Sequence, residues 1–208
     1  MITRIALAAG IGAVVVMTAG CAGKIRYPHY YLLELPPAPA AAKAGPPLPS
    51  TIAVRRFSTP SYLRGGRIVY REGPAEVEFY EYHRWAEDPA SAVTAAVMES
   101  LRSAHVFASV KQYDGQGQQD YILTGRLDRL EEVDSPGEVR VEARVSAELI
   151  DLRTGAVVWT GDGHEIVPVE SRSVNSVVME MSHAVRKSID QMVGSLDQQS
   201  VLPARASR

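Results

Sequence analysis

The chain has 208 residues, 46% of them hydrophobic and 22% charged, which suits one globular domain plus a short extra segment and excludes a disordered or wholly membrane-embedded chain. Its 22 basic and 24 acidic residues give a formal charge of -2 and are mixed along the sequence, leaving neither a basic footprint for nucleic acid nor an acidic tail. A lone cysteine excludes an internal disulfide and any CxxC metal or redox site.

That cysteine is Cys21, and the segment before it has a recognisable order. Arg4 supplies a short positive region, and Ile5 to Met17 form an uncharged run of 13 residues. Such a run suits a signal peptide and falls short of the roughly 20 apolar residues of a spanning helix. Thr18, Ala19 and Gly20 are small enough to lie extended in a peptidase cleft. The stretch resembles a bacterial lipobox, which implies cleavage after Gly20 and lipid attachment to the Cys21 sulfur. Ala19 and Gly20 fit that pattern, while Thr18 stands where leucine is more usual. The alternative is an ordinary secretory peptide that leaves Cys21 as a free thiol. By the same resemblance, Ala22 is the kind of residue that sorts a lipoprotein to the outer membrane, because inner-membrane retention usually has Asp there. Two or more acyl chains hold a protein stably where one does not, at about 0.8 kcal/mol per buried CH₂.

After the tether (residues 21–29), Tyr30–Leu35 is a short apolar run consistent with a buried strand. Pro36–Pro49 holds six prolines and reads as a semi-rigid loop. Thr51–Phe57 reads as a strand, and "GRIVYREG" and "AEVEFYEY" read as a hairpin turned at Gly73 and Pro74. Asp88 is a good N-cap, and Pro89 behind it is tolerated at the first helical position. Val93, Val97, Leu101 and Ala104 then share one helix face.

"HVFASV" returns as a strand. Asp120–Leu130 is another, its alternation imperfect at Leu130. In "EVRVEARVSAEL" apolar and polar residues alternate strictly, predicting one buried and one wet face. Asp151–Gly155 turns the chain, and "AVVWTGDGHEIV" is the partner strand. A last helix is expected from Val174 to Val193, on the stripe Val174, Val177, Val178, Met181, Val185, Ile189 and Met192. The tail from Gly194 lacks that stripe and is expected to fray. The domain (residues 30–194, with 195–208 as a flexible tail) is therefore α+β: a single, mostly antiparallel sheet with two helices on one face.

Nothing in the pattern argues for catalysis. GxxxxGK[ST], GxSxG and HExxH are absent, and "HEIVP" has Pro168 where the second histidine would stand. The five histidines (His29, His83, His105, His164, His183) fall in unrelated segments. "DGQGQQD" (Asp114–Asp120) has glycines with no helix behind them and reads as a surface turn. Glu76, Glu78 and Glu81 could be paired carboxylates but read better as a charged wet face. Phe79, Tyr80, Tyr82 and Trp85 could line a lipid groove, though core and interface packing is the commoner use of such a cluster. No cofactor and no metal is implied.

Five elements in order carry a family resemblance: the lipobox; Tyr31-Leu32-Leu33; Pro60-Ser61-Tyr62-Leu63; Ile68-Val69-Tyr70-Arg71; and "RWAEDP", Arg84–Pro89, leading into the first helix. Together they are similar to the ABC-type transport auxiliary lipoproteins, the group that includes the paraquat-inducible protein C type, over roughly residues 21–193. Gly65-Gly66 and the Pro/Ala insert at 36–49 depart from that pattern. The resemblance implies a non-catalytic, outer-membrane-anchored lipoprotein facing the periplasm of a Gram-negative bacterium. Its partners would be a mammalian-cell-entry (MCE) domain protein and ABC transporter subunits, with phospholipid or another hydrophobic solute as cargo. A homo-oligomeric ring is compatible with such partners. Tyr31, Pro60, Tyr62, Leu63, Arg71, Arg84, Trp85 and Pro89 are then residues of packing or docking. The other reading is a lipoprotein scaffold of a different envelope machine, in secretion or cell-wall assembly. Ala22–His29 span at most about 27 Å when extended, so a domain beginning at Tyr30 would sit close to its membrane.

Overall fold

The computed structural model describes residues 26–39 and 47–198. Cys21, the segment before it and the middle of the Pro-rich loop lie outside the described residues. In chain order the elements are β1 (His29–Tyr31), β2 (Leu48–Val54), a 3-10 turn (Ser61–Gly65), β3 (Arg67–Arg71), β4 (Glu78–Trp85), α1 (Pro89–Ala104), β5 (Phe107–Gln112), β6 (Tyr121–Ser135), β7 (Glu138–Asp151), β8 (Val157–Pro168) and α2 (Val174–Gln198). They make one α+β domain with an eight-stranded, mostly antiparallel sheet and two helices.

The alternation of β7 organises the sheet. Val139, Val141, Ala143, Val145, Ala147 and Leu149 are buried, and the residues between them face outward. β6 and β8 flank β7 in long antiparallel ladders. The β7–β8 turn closes on Asp151, whose Oδ1 accepts from the Arg153 and Thr154 amides at 2.8 and 3.1 Å. Gly155 there has φ 72, a conformation that L side chains rarely adopt.

β6 is longer than the expected strand and is broken by a bulge. The β7 register slips between Leu127 and Arg129, leaving Asp128 as the extra residue. Leu127 pairs with Val145 and Leu130 with Ala143, so both leucines reach the same buried face. The imperfect alternation in the sequence is the bulge itself. Because β7 occupies one edge of β6, β2 and β3 share the other, β2 at residues 121–123 and β3 at 132–133, both in parallel. The gap between them is filled by Ser58, which exchanges backbone bonds with Gly125 and Leu127, and by the 3-10 turn, which buries Leu63. Short parallel ladders add β5 beside β2 and β1 beside β4, and β3–β4 is the expected antiparallel hairpin.

The helices pack on each other and on the buried face of the sheet. Asp88 caps α1, its Oδ1 accepting from the Ala90 amide at 3.0 Å, and Val93, Val97 and Leu101 are buried beneath. α2 lies directly on β7 and β8. Ser188 Oγ donates to the Ala143 carbonyl at 3.1 Å, and a Cβ at Gly163 would lie 1.8 Å from the Ser188 carbonyl oxygen.

Strand ends shift elsewhere too, and at three boundaries the cause is visible. The strand expected at Tyr30–Leu35 is His29–Tyr31, an edge strand; past it the chain heads into prolines, with Leu33 buried and Leu32 exposed. The strand expected at Thr51–Phe57 runs Leu48–Val54, because the buried Phe57 amide turns away to donate to Thr94 Oγ1 at 3.0 Å. The last helix continues through Gln198 rather than fraying at Gly194, since Leu196, four residues after Met192, extends the apolar stripe and is buried. No helix among the described residues is long and apolar enough to cross a membrane.

Candidate functional site

On the sheet face opposite the helices, the outward residues of β6, β7 and β8 form a lattice of ion pairs. Arg129 Nη1 lies 2.9 Å from Glu142 Oε2 and 3.5 Å from Glu131 Oε1, and His164 Nε2 lies 2.9 Å from Glu142 Oε1. Arg144 donates to Asp162 at 3.0 Å, while Asp128, turned outward by the bulge, accepts from Ser146 at 2.6 Å and pairs with Arg126 at 3.1 Å. A groove of about 500 Å³ runs over this face, lined in part by Ser58, Thr124, Arg126, Arg144, Glu148, Thr160 and Asp162. Its arginines already hold carboxylate partners, so the face is built for a polar surface rather than an acyl chain. An apolar cavity between α1 and α2, at Ser100, Ala104 and Val193, measures about 150 Å³, half or less of the ~300 Å³ at which small-molecule sites begin.

Glu131 is the hub of the lattice and its most buried member, at 0% exposure. The 3-10 turn and β3 cover it. Arg71 Nε stands 2.7 Å from Glu131 Oε1, and Tyr62 donates to Glu131 Oε2 at 3.4 Å and to the Asp128 carbonyl at 3.3 Å. Burial, and then the Glu131 charge, raise the Tyr62 hydroxyl pKa above its usual 10.0. A fully buried carboxylate is tolerated only with such partners.

A second cluster lies across β1, β4 and β3. Tyr31 Oη and His83 Nδ1 are hydrogen-bonded at 2.9 Å, while His29 stacks on the same ring at 5.3 Å and Tyr80 meets it edge-on at 5.5 Å. Burial, then the nearby His29, push the His83 pKa below its ordinary 6.5. Tyr80 donates to Glu132 at 2.7 Å; burial is the main reason both groups titrate above their usual values. Tyr70 donates to Glu78, and chiefly through that bond its pKa rises to about 12.

The residues singled out in the sequence fall largely into these two clusters. Tyr62 and Arg71 converge on β6 at Glu131, while Leu63 is buried in the 3-10 turn, its amide donating to the Pro60 carbonyl at 3.2 Å. Tyr31 pairs with Trp85 and Tyr30 with Arg84 in the β1–β4 ladder; Trp85 is buried and its amide donates to the Gly66 carbonyl at 2.8 Å. Pro89 is the buried first residue of α1. Cys21 is outside the described residues. Glu76 and Glu81 are exposed, and Glu78 is engaged by Tyr70. Of the aromatics, Trp85 packs in the core, Tyr80 and Tyr82 are half-buried and Phe79 is exposed.

His29 and His83 meet, whereas His164 and His183 pair with Glu142 and Glu180, and His105 ends α1. Among the described residues no three His, Cys, Asp or Glu side chains are placed to hold a metal ion. The Asp114–Asp120 segment is a turn in which Asp114 accepts from the Gln116 amide at 2.8 Å. The hub at Glu131 and the Arg129–Glu142–His164 chain were not found from the sequence. Their signal was the adjacent pair Glu131-Glu132 directly after Leu130, which puts one carboxylate on each face of the strand.

Comparison with known proteins is consistent with this architecture. The crystal structure of protein XCC0632 from Xanthomonas campestris superposes with a TM-score of 0.68 at 18% identity, over 83% of this chain and 99% of that one. A second crystal structure, of an uncharacterized protein, gives 0.62 at 14% identity, over 82% and 99%. At those identities the likeness is one of fold. No curated protein matches the chain. The family model for the ABC-type transport auxiliary lipoprotein component matches residues 31–193, which takes in β2 to β8 and α1 whole, the last residue of β1, and α2 as far as Val193. The chain belongs to the ABC-type transport auxiliary lipoprotein family.

Proposed function

We propose that this protein is an outer-membrane lipoprotein, held by acylated Cys21 on the periplasmic face, that docks a periplasmic MCE assembly in an ABC-driven transport system for lipid or another hydrophobic solute. The observation that carries the reading is the family match across the whole folded domain. The surface supports a docking role over a carrying one, because the groove across β6, β7 and β8 is polar and charge-paired while the apolar cavity between α1 and α2 is too small for an acyl chain. ATP hydrolysis belongs to another subunit, and copies of this chain assemble as a ring around the partner.

A cross-linked pull-down of the full chain from native envelopes tests this, with co-purifying proteins identified by mass spectrometry. Recovery of an MCE-domain protein and an ABC subunit is expected, and reversing the outer face with Arg144→Glu and Asp162→Lys together should reduce it while the domain stays folded. Recovery of secretion or cell-wall components alone overturns the reading. Long flexible insertions after Gly23 should leave folding intact and weaken transport; transport unchanged across many insert lengths would count against a fixed docking distance.

A further inference from the structure

Where the described chain begins, the surface changes character. Tyr27, Tyr30 and Leu32 are 76%, 63% and 48% exposed, three large apolar side chains within six residues. The register continues the patch onto the neighbouring strands: Tyr30 pairs with Arg84 on β4, and Arg84 with Arg67 on β3. Paired residues share a face, and this face is opposite to the one on which Tyr31 and Trp85 turn inward. Two residues before Arg84, the half-buried Tyr82 ring carries the Arg26 guanidinium 5.7 Å above it. The patch thus holds three guanidinium groups among exposed tyrosines, with Glu81 beside Tyr82 as the nearby carboxylate.

Arg26 follows Cys21 by five residues, which reach at most about 18 Å when extended. Tyrosine and arginine on one surface suit a bilayer interface, where the ring lies at headgroup depth and the guanidinium binds phosphate. We propose that this Tyr–Arg face rests on the phospholipid headgroups of the membrane that anchors Cys21, fixing the domain's orientation rather than leaving it to swing on a tether. The proposal depends on the lipid-anchor reading of Cys21. Leu152 in the β7–β8 turn lies far from this patch: Asp151 pairs with Tyr121 and Tyr70 with Glu132, and Arg67 stands three residues before Tyr70, so about eight residues of β6, or roughly 26 Å of strand, separate the two.

The test uses the processed, acylated full chain in vesicles of phosphatidylethanolamine and phosphatidylglycerol carrying brominated acyl chains. Tryptophan fluorescence is compared for Tyr30→Trp and Leu152→Trp, each against the unsubstituted protein, whose Trp85 and Trp159 are buried. Quenching several-fold stronger for Tyr30→Trp is expected, as is its loss on adding Arg67→Ser and Arg84→Ser while the protein still floats with the vesicles. Equal quenching at both positions, or none at either in protein that still floats, overturns the oriented face and leaves the anchor standing. Flotation unchanged by Cys21→Ser overturns the anchor, and the proposal with it. If the paired arginine substitutions leave quenching intact but abolish co-purification of an envelope protein, the face is a protein dock and the proposal fails.

Discussion

The two ends of this sheet are held together by different physics. Across β6, β7 and β8, long antiparallel ladders bury one apolar row after another against α2, and the outward charges sit in wet, replaceable pairs. At the β1–β4–β3 end the ladders are short and mostly parallel, and their order depends on a few non-local polar contacts around Glu131, Glu132 and His83. One end spreads its stabilisation over many similar contacts and tolerates the loss of any of them. The other concentrates it in pairs that fail when one member is removed.

The largest expected effect tests that concentration. Arg71→Leu leaves Glu131 as a buried charge without its nearest cation, which costs about 3–5 kcal/mol, read as a shift in the urea midpoint. Adding Glu131→Leu should recover most of the loss, because an apolar pair needs no partner. A loss for Arg71→Leu as small as that for an exposed pair such as Arg144–Asp162 would mean that Arg129, 3.5 Å away, carries the carboxylate alone, and the contrast between the two ends would collapse.

The next effect belongs to the regular end, where tolerance stops at close backbone approach. Gly163→Ala drives a Cβ into the Ser188 carbonyl, and overpacking of this kind costs about 1–3 kcal/mol. Gly73→Ala, at a position with no atom within 4 Å of the added carbon, is the control and should change little. Equal stability for the two variants would show that α2 slides freely over β8.

The same contrast decided what could be read from the sequence. β7 was legible to within two residues at its end because burial alternates along its whole length, and α1 was legible because Asp88, Pro89 and a four-residue apolar spacing agree. The Asp128 bulge appeared only as a disturbed pattern at Leu130, since nothing in the residues says which one is extruded. The strand order around β6 was not legible: two short strands sharing one edge of a long one is a matter of pairing between distant residues. Glu131 escaped for the same reason, as its partners Tyr62 and Arg71 are far away in the chain. Family resemblance marked those two residues without supplying the carboxylate they meet.

Between the ends stands α1, whose start is a local device. Asp88→Ala removes the acceptor of the Ala90 amide and should cost about 1 kcal/mol, measured by thermal or urea unfolding. The Arg56–Asp88 ion pair is lost as well, but it is exposed and adds little. Asp88→Asn separates the two, keeping a capping oxygen while removing the charge, and should retain nearly full stability.

The smallest effect is a slope rather than a step, and it reports on the polar end alone. His83 titrates below 6.5 in the folded protein, first because burial penalises its charged form and then because His29 adds repulsion. The unfolded chain therefore binds the proton more readily. The stabilisation linked to His83 is fully present above pH 6.5 and is lost as pH falls through the lowered folded value. Glu132 runs the other way. Its folded pKa is raised by burial, so its contribution is present below pH 4.5 and declines as pH rises through that higher value. A single pH profile mixes these slopes, whereas the difference between wild type and His83→Gln isolates the first. The stability advantage of wild type over His83→Gln should shrink steadily as pH falls below 6.5. A flat difference would mean that the ring accepts its proton without losing the Tyr31 bond or disturbing the packing on Tyr80, and that this cluster is as replaceable as the outward pairs of β7 and β8.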